Sequence, residues 1–286
     1  MSATISPIIQ ASELLILYQT TNLVIVDVST GKNAKLNYDQ KHLDGAIYVD
    51  LNTQLADIKD DLSIGGRHPL PKIENFAQTV FNLGISPQTH VILYDDKNGS
   101  NAAARFWWML KSMGHEKVQV LNGGFQEAEK ANFPMSSKIE IMVQAELHKV
   151  SDWKLKIAEI TEVEKVSQNK NYLVIDVRDA ERYKGETEPI DLIAGHIPGA
   201  INVPLTENLD ENGLFLSPNE LKNKYEKIFG KVKNENIIVH CGSGVTACHS
   251  LLAIAYAEME IPKLYVGSWS EWSRAKANVP NKNHIK

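Results

Sequence analysis

Cysteine is scarce in this chain: Cys241 and Cys248 are the two among 286 residues. Two thiols seven positions apart are too few for a disulfide framework. The spacing is not a usual metal spacing, and no second ligand cluster accompanies it. A reduced compartment is therefore expected, with the cytoplasm the simplest location, and neither a metal nor a cofactor. Positive charge is in deficit too. Thirty Lys and Arg against 35 Asp and Glu leave a net charge of -5, so no basic face is available for nucleic acid. Long apolar runs are also missing. The opening residues, MSATISPIIQASELLILYQT, lack a basic stretch ahead of an apolar one, and nothing reaches the roughly 20 residues a membrane span needs. Neither a signal peptide nor a membrane partner is expected.

What is present is the composition of an ordinary globular protein, 43% hydrophobic and 23% charged. The length favours two domains, each large enough for a core. An internal repeat gives those domains substance. An apolar strand ending in an acid occurs as LVIVDV (23–28) and LVIDVR (173–178). A His-x-x-Gly-Ala turn occurs as HLDGAI (42–47) and HIPGAI (196–201). A second apolar strand runs through a loop into a helix in VILYDDKNGSNAAARFWWML (91–110) and IIVHCGSGVTACHSLLAI (237–254). A short strand, a glycine and an aromatic close each copy, VQVLNGGF (118–125) and KLYVGSW (263–269). The pairs Asp27/Asp176, His42/His196, Tyr94/His240 and Gly123/Gly267 are 149, 154, 146 and 144 residues apart. Near-constant offsets mark a duplicated domain, with one copy over 1–140, a second over 155–286 and a boundary within 132–158. Strands rich in β-branched residues alternate with helical patterns, so each copy is an α/β unit: a small, mostly parallel sheet with helices on both faces. The pattern predicts helices over 72–83, 102–113, 159–168 and 247–259. Thr161 with Glu164 resembles a capping box, and Ser217-Pro218 a helix start.

The chemistry points to one loop. The strand IIVH (237–240) delivers Cys241 at its carboxyl end, where open α/β sheets bind their ligands. Gly242, Ser243, Gly244, Val245 and Thr246 follow, then a helix begins near Ala247. Two glycines let the backbone curl, and a curled loop at a helix N-terminus turns its N–H groups inward as an anion cradle. A helix dipole supplies only about 0.3–1 kcal/mol to such an anion. Charge-assisted N–H bonds supply roughly 1.5–3 kcal/mol each, so the amides must do most of the stabilising. A buried structural cysteine is the competing reading of Cys241. Cys248, in the first turns of the helix, reads as packing.

Residues 237–250, IIVHCGSGVTACHS, resemble the active-site loop of the two-domain rhodanese family, and the CGSGVTA form is similar to that of its 3-mercaptopyruvate sulfurtransferases. The thiosulfate-preferring animal enzymes usually carry basic residues in this loop, and this chain carries none. The resemblance extends over nearly the whole chain, through RFWWML (105–110) with Gly114-His115, VLNGGF, the two His-x-x-Gly-Ala turns and GSWSEW (267–272). It implies two tandem rhodanese-like domains and ping-pong sulfur transfer from a small-molecule donor through a Cys241 persulfide. The acceptor would be cyanide, a small thiol or a thioredoxin-like protein. It further implies that the first domain, with Asp95 in place of Cys241, is silent. A monomer is expected, since the duplicate already supplies a partner surface.

The same resemblance distributes roles. Arg182, four residues after Arg178, matches the family's donor-binding arginine, a bidentate partner for a carboxylate or sulfonate. Arg178 is expected to brace the strand end. His68 in GGRHPLP (65–71) matches a histidine that relays to the loop serine, here Ser243, and an unpartnered loop histidine is the other reading. Arg67 is a candidate second anion-binding group. His42, His196, His240 and His249 read as structural, and Trp107, Trp108, Trp269 and Trp272 as packing. Two departures concern the donor. Asp191 stands where mercaptopyruvate enzymes usually carry a second arginine, and Asn52 stands where their relay usually ends on an acid. Three rival readings compete with this one. A cysteine phosphatase needs an arginine closing Cys-x5-Arg, whereas 247 is Ala and 248 is Cys. A non-catalytic interaction module and a Cys241/Cys248 redox switch are the others.

Overall fold

Strict alternation along the strands decides how the molecule is layered. In the first half, Val26, Leu93 and Val120 belong to one apolar cluster, while their neighbours Ile25, Ile92 and Leu121 belong to another. Successive strand residues point to opposite faces, so this sheet is buried on both sides. The second half repeats the arrangement: Ile175, Val239 and Leu264 face the first cluster, and Val174, Ile238 and Tyr265 face a third. The shared cluster makes the two sheets one body. The computed structural model describes residues 5–18, 22–140, 144–146 and 148–277. Residues 1–4 of the opening segment lie outside the described residues, as do 141–143 and 147 of the expected boundary.

The first unit contains β1 (Ile8–Ile9), α1 (Ala11–Leu17), β2 (Leu23–Asp27), α2 (Ala34–Gln40), β3 (His42–Leu43), β4 (Ala46–Tyr48), α3 (Leu51–Gln54), α4 (Ile73–Asn82), β5 (His90–Tyr94), α5 (Ala102–Met113), β6 (Val118–Leu121), α6 (Gly124–Lys130) and β7 (Met135–Ser136). The second contains β8 (Ile157–Ala158), α7 (Ile160–Val166), β9 (Leu173–Asp176), α8 (Ala180–Lys184), β10 (Ile201–Asn202), α9 (Pro218–Phe229), β11 (Ile237–His240), α10 (Ala247–Tyr256), β12 (Lys263–Tyr265) and α11 (Ser268–Ala277). Each main sheet has five strands, ordered β4-β2-β5-β6-β1 and β10-β9-β11-β12-β8. All their pairings are parallel. The register matches as well. Asp27 lies beside Tyr94 as Asp176 lies beside His240, so the repeated sequence landmarks are structural equivalents. Both His-x-x-Gly-Ala histidines make the same contact: His42 Nδ1 is 2.6 Å from the Tyr38 carbonyl and His196 Nδ1 2.8 Å from the Tyr183 carbonyl, each ring stacked on that tyrosine.

Four helices line the inner faces, α4 and α5 from one unit, α9 and α10 from the other. Helices α5 and α10, which follow the equivalent loops, pack against each other. Trp107 and Trp108 are buried in this seam, Trp269 and Trp272 on the outer face of the second sheet. The connecting chain crosses the first unit before entering the second sheet. Trp153 packs on Phe76 and Trp108, and the Lys154 amide donates to the Ser112 carbonyl at 2.7 Å.

Helices α4, α5, α7 and α10 fall within the stretches predicted for them, and one cap differs. Helix α7 begins at Ile160 with Glu159 as its N-cap residue. Thr161 therefore lies inside the first turn rather than capping it, because the apolar pattern starts one residue before the threonine. At α9 the expected start is present in full. The Ser217 hydroxyl accepts the Glu220 amide, and the Glu220 carboxylate accepts the Ser217 amide. Losing an N-cap serine costs about 1 kcal/mol. Ser217→Ala should lower the thermal midpoint by about 2–4 °C for a chain of this size; an unchanged midpoint would show that the Glu220 side of the box suffices.

Candidate active site

The strand β11 ends in a fully packed environment, and Cys241 is the first residue beyond it. The loop it opens is pinned from beneath. The Trp269 amide donates to the Cys241 carbonyl at 3.0 Å, the Ser270 amide to the Gly242 carbonyl at 2.8 Å, and the Cys241 amide to the Ser268 hydroxyl at 3.2 Å. Gly244 has φ +72, and a Cβ there would lie 2.4 Å from the Val266 carbonyl oxygen, so only glycine fits. With the Cys241 and Gly242 carbonyls held from beneath, the amides of Gly242 through Thr246 donate to no oxygen among the described residues.

The first domain shows what such amides seek. Asp95, equivalent to Cys241, is fully buried. Its carboxylate accepts the amides of Lys97 (2.9 Å), Gly99 (2.9 Å), Asn101 (3.0 Å) and Ala103 (3.2 Å). Burial raises the Asp95 carboxyl, and the four amides work against that rise. Its loop is one residue longer than the one after Cys241. A strand, a curled loop and a helix N-terminus thus hold an anion in one copy, and the other copy places a sulfur in the same position.

Cys241, Gly242, Ser243, Val245 and Thr246 line a cavity of about 520 Å³ between the domains, together with Asn52, Arg67, His68 and Arg182. Gly244 lies behind the loop against Val266 and is not among its lining residues. Cys241 is buried at the floor, with 1% exposure. Cys248 is buried on α10, and its thiol donates to the Gly244 carbonyl at 3.4 Å.

The first domain supplies His68. Its Nδ1 lies 2.8 Å from Ser243 Oγ and its Nε2 3.2 Å from Asn52 Oδ1. Burial pushes the imidazole down to about 4, and the Arg105 and Arg67 charges add to the effect. The ring is neutral at neutral pH. With the Asn52 oxygen facing Nε2, the proton sits on Nε2 and Nδ1 accepts the Ser243 hydroxyl. Asp50, the nearby acid, is engaged elsewhere: its carboxylate caps α3 through the Asn52 and Thr53 amides.

Both predicted arginines reach the loop. A Cβ on Gly242 would lie 3.1 Å from Arg67 Nη2 and 3.5 Å from Arg182 Nη2, so two guanidinium groups close over that glycine. Asp191, which stands where a second arginine was expected, holds them. It pairs with Arg67 across the domain boundary, with Arg274 at 3.1 Å and with Arg182 at 3.4 Å. Glu188 bridges Arg182 (2.7 Å) and Arg178 (3.2 Å). Burial alone would raise the Glu188 carboxyl, but Arg182 and the Asp191 and Ile190 amides outweigh it and hold the group low. Arg178 braces the strand end, bound to Asp176 at 2.6 Å and lying over the Trp269 ring at 5.0 Å. His240 and His249 are fully buried, away from the cavity lining. Glu188, Arg274 and Arg105 were not read as site residues. For Arg105 a signal existed, a lone charge inside the apolar run AAARFWWML.

A cysteine at a strand end, loop amides without an acceptor among the described residues and converging arginines are the parts that covalent group transfer on an anion would use. Residues 10–131 and 159–275 each match the rhodanese-like domain, and the chain belongs to the rhodanese family. It is 35% identical over 237 residues to a probable 3-mercaptopyruvate sulfurtransferase of Pseudomonas aeruginosa, covering 82% of each chain. It is also 35% identical over 250 residues to the thiosulfate sulfurtransferase of Rattus norvegicus, covering 85% of this chain and 81% of the rat protein. Among solved structures it is similar to the 3-mercaptopyruvate sulfotransferase SseA of Escherichia coli, with TM-score 0.78, 31% identity and coverage of 93% of this chain and all of the other. It is therefore an enzyme, a sulfurtransferase. Among the described residues no helix is long and apolar enough to cross a membrane.

The depressed His68 makes a definite prediction. Asn52→Asp places an ionised carboxylate beside Nε2, which favours the imidazolium and moves the histidine upward from about 4. Its imidazole resonances should then titrate nearer the ordinary range of about 6.5 in NMR; no movement would show that Asn52 does not set its environment.

Proposed function

We propose that the chain moves a sulfane sulfur from 3-mercaptopyruvate to cyanide or a thiol acceptor through a persulfide on Cys241. The observation that carries this reading is the pairing of two equivalent cradles. Asp95 takes four amides in one, while in the other two guanidinium groups close over Gly242, next to Cys241, and the loop amides have no acceptor among the described residues. Arg182 and Arg67 suit the donor carboxylate, with Asp191 and Glu188 fixing where their free N–H groups point. The Cys241 thiolate attacks the donor sulfur, and the carbon–sulfur bond breaks. Its electron pair leaves as the enolate of pyruvate, which takes a proton. Cys241 then carries S–SH, ionising to a persulfide anion that the loop amides hold. Cyanide attacks the outer sulfur, leaves as thiocyanate and returns the thiolate. Ser243 lines the cavity beside Cys241 with its hydroxyl on neutral His68; turned from His68 Nδ1 to the donor carbonyl, that single hydroxyl proton would stabilise the enolate charge as it develops.

Two features favour mercaptopyruvate over thiosulfate: the loop from Gly242 to Thr246 carries no charge, and the Ser243–His68–Asn52 chain is connected. The rat relative named for thiosulfate and the acid at 191 favour the alternative donor, with the same persulfide. The chain is proposed to act as a cytoplasmic monomer, with a small thiol or a thioredoxin-like protein as the cellular acceptor.

A side-by-side assay of 3-mercaptopyruvate and thiosulfate with cyanide decides between them, with intact mass recorded after each donor alone. The expected result is a gain of about one sulfur mass on Cys241 and faster turnover of mercaptopyruvate. Faster turnover of thiosulfate would select the alternative, and no mass gain from either donor would sink the persulfide reading. Cys241→Ser should abolish transfer and Cys248→Ser should keep most of it. Arg182→Ala should chiefly raise KM for the donor, and an unchanged KM would remove Arg182 from donor binding.

A further inference from the structure

One buried charge takes no part in the steps above. Arg105, on α5 of the first domain, is fully buried. The chain has five arginines, and each of the other four pairs with a carboxylate. Arg105 pairs with none among the described residues. Its Nη1 donates to the Gly244 carbonyl at 3.0 Å and its Nη2 to the His68 carbonyl at 3.2 Å, while its Nε is buried without a partner. Two neutral carbonyls do not cancel a full charge, and leaving a buried cation uncompensated costs several kcal/mol.

The groups around it narrow the source of compensation. Burial works against the Arg105 charge, and Cys248 and Cys241, if ionised, are the groups that support it. Burial pushes the Cys248 thiol up to about 12, so that cysteine stays protonated and shares the Gly244 carbonyl. His68 is held down at about 4 and His249 at about 3, chiefly by burial, so both are neutral, and burial lowers His240 as well. Asp176 is committed to Arg178, Asp191 and Glu188 to the cavity arginines, and Glu271 to the Gly65 amide. Cys241 is what remains.

We propose that Arg105 is the buried counter-charge and positioning residue for the anion at Cys241, reaching it from the domain that has no nucleophile. It acts in two ways. Its fork holds the Gly244 carbonyl inward, so the Val245 N–H, antiparallel across the same trans peptide, points away from it. Its charge lies behind the loop in a water-free setting, where screening is weak. The persulfide half of this role rests on the sulfur-transfer reading, and the thiolate half does not.

The test is alkylation of Cys241 by iodoacetamide across pH 5 to 9, read as site-specific peptide mass, in Arg105→Gln and Arg105→Lys with thermal unfolding as a fold check. Glutamine keeps donors but no charge, and lysine keeps the charge without the fork. Glutamine should move the rate profile about one unit to higher pH, about tenfold slower alkylation near neutrality, and lysine should stay within about threefold of the parent chain. Removing the cation should also raise the His68 titration, since Arg105 helps hold it down. A folded Gln variant with the parent profile, or a Lys variant as slow as Gln, would overturn the proposal. If the Gln variant does not fold, the Lys profile decides alone: kept, it supports the counter-charge; moved to higher pH, it ends it. Alkylation needs no sulfur donor, so a protein inactive with both donors but with a shifted Gln profile would keep the counter-charge and discard the transfer reading.

Discussion

Everything in this molecule is arranged around a row of backbone amides that needs an anion. A parallel strand ending in a curled loop and a helix leaves several N–H groups pointing to one spot, and a buried donor without an acceptor is costly. The chain meets the requirement twice. In the first domain a carboxylate of its own, Asp95, fills the spot permanently. In the second the spot belongs to the Cys241 sulfur, and in the transfer proposed above the charge at that spot comes and goes. The packing of α5 on α10 makes both possible by closing the two cradles against one shared core.

The division of labour follows from that seam. The second domain supplies Cys241, its loop and Arg182. The first supplies what lies above and behind: His68 and Arg67 on the cavity side, Arg105 beneath. Asp191 explains how a site can lose an expected arginine without losing its positive character. The acid at that position draws Arg67 across the boundary and holds it beside Gly242. The cation is contributed by the other domain instead of the same one.

Much of this could be read from the sequence because it was written twice. The acid-ended strands and His-x-x-Gly-Ala turns kept the same offsets as their partners in the sheet registers, Asp27 beside Tyr94 and Asp176 beside His240. The Cys-Gly-Ser-Gly loop was legible through two glycines at the end of an apolar strand and through its resemblance to the family's active-site loop. Cross-domain contacts were less visible, because a pair such as Arg67 and Asp191 is separated by more than a hundred residues and neither sits in a periodic pattern. Glu188 and Arg274 pair within the second domain, with Arg182 and Asp191, and were hidden because neither sits in a motif or a periodic pattern. The capping box read at Thr161 failed locally: hydroxyl and acid had the right spacing, but the apolar face of α7 began one residue earlier and took Glu159 as its boundary.

The carboxylate of Asp95 has a consequence for how such a molecule could arise. A symmetric pair of identical subunits would carry two cradles, two nucleophiles and two copies of every gate, and any change improving one face would be imposed on both. Joining the copies in one chain lifts that constraint. One cradle is filled by a built-in acid, and the loops beside it supply His68 and Arg67 as wall and charge for the other. The enzyme is in effect an asymmetric dimer whose halves can never dissociate or exchange.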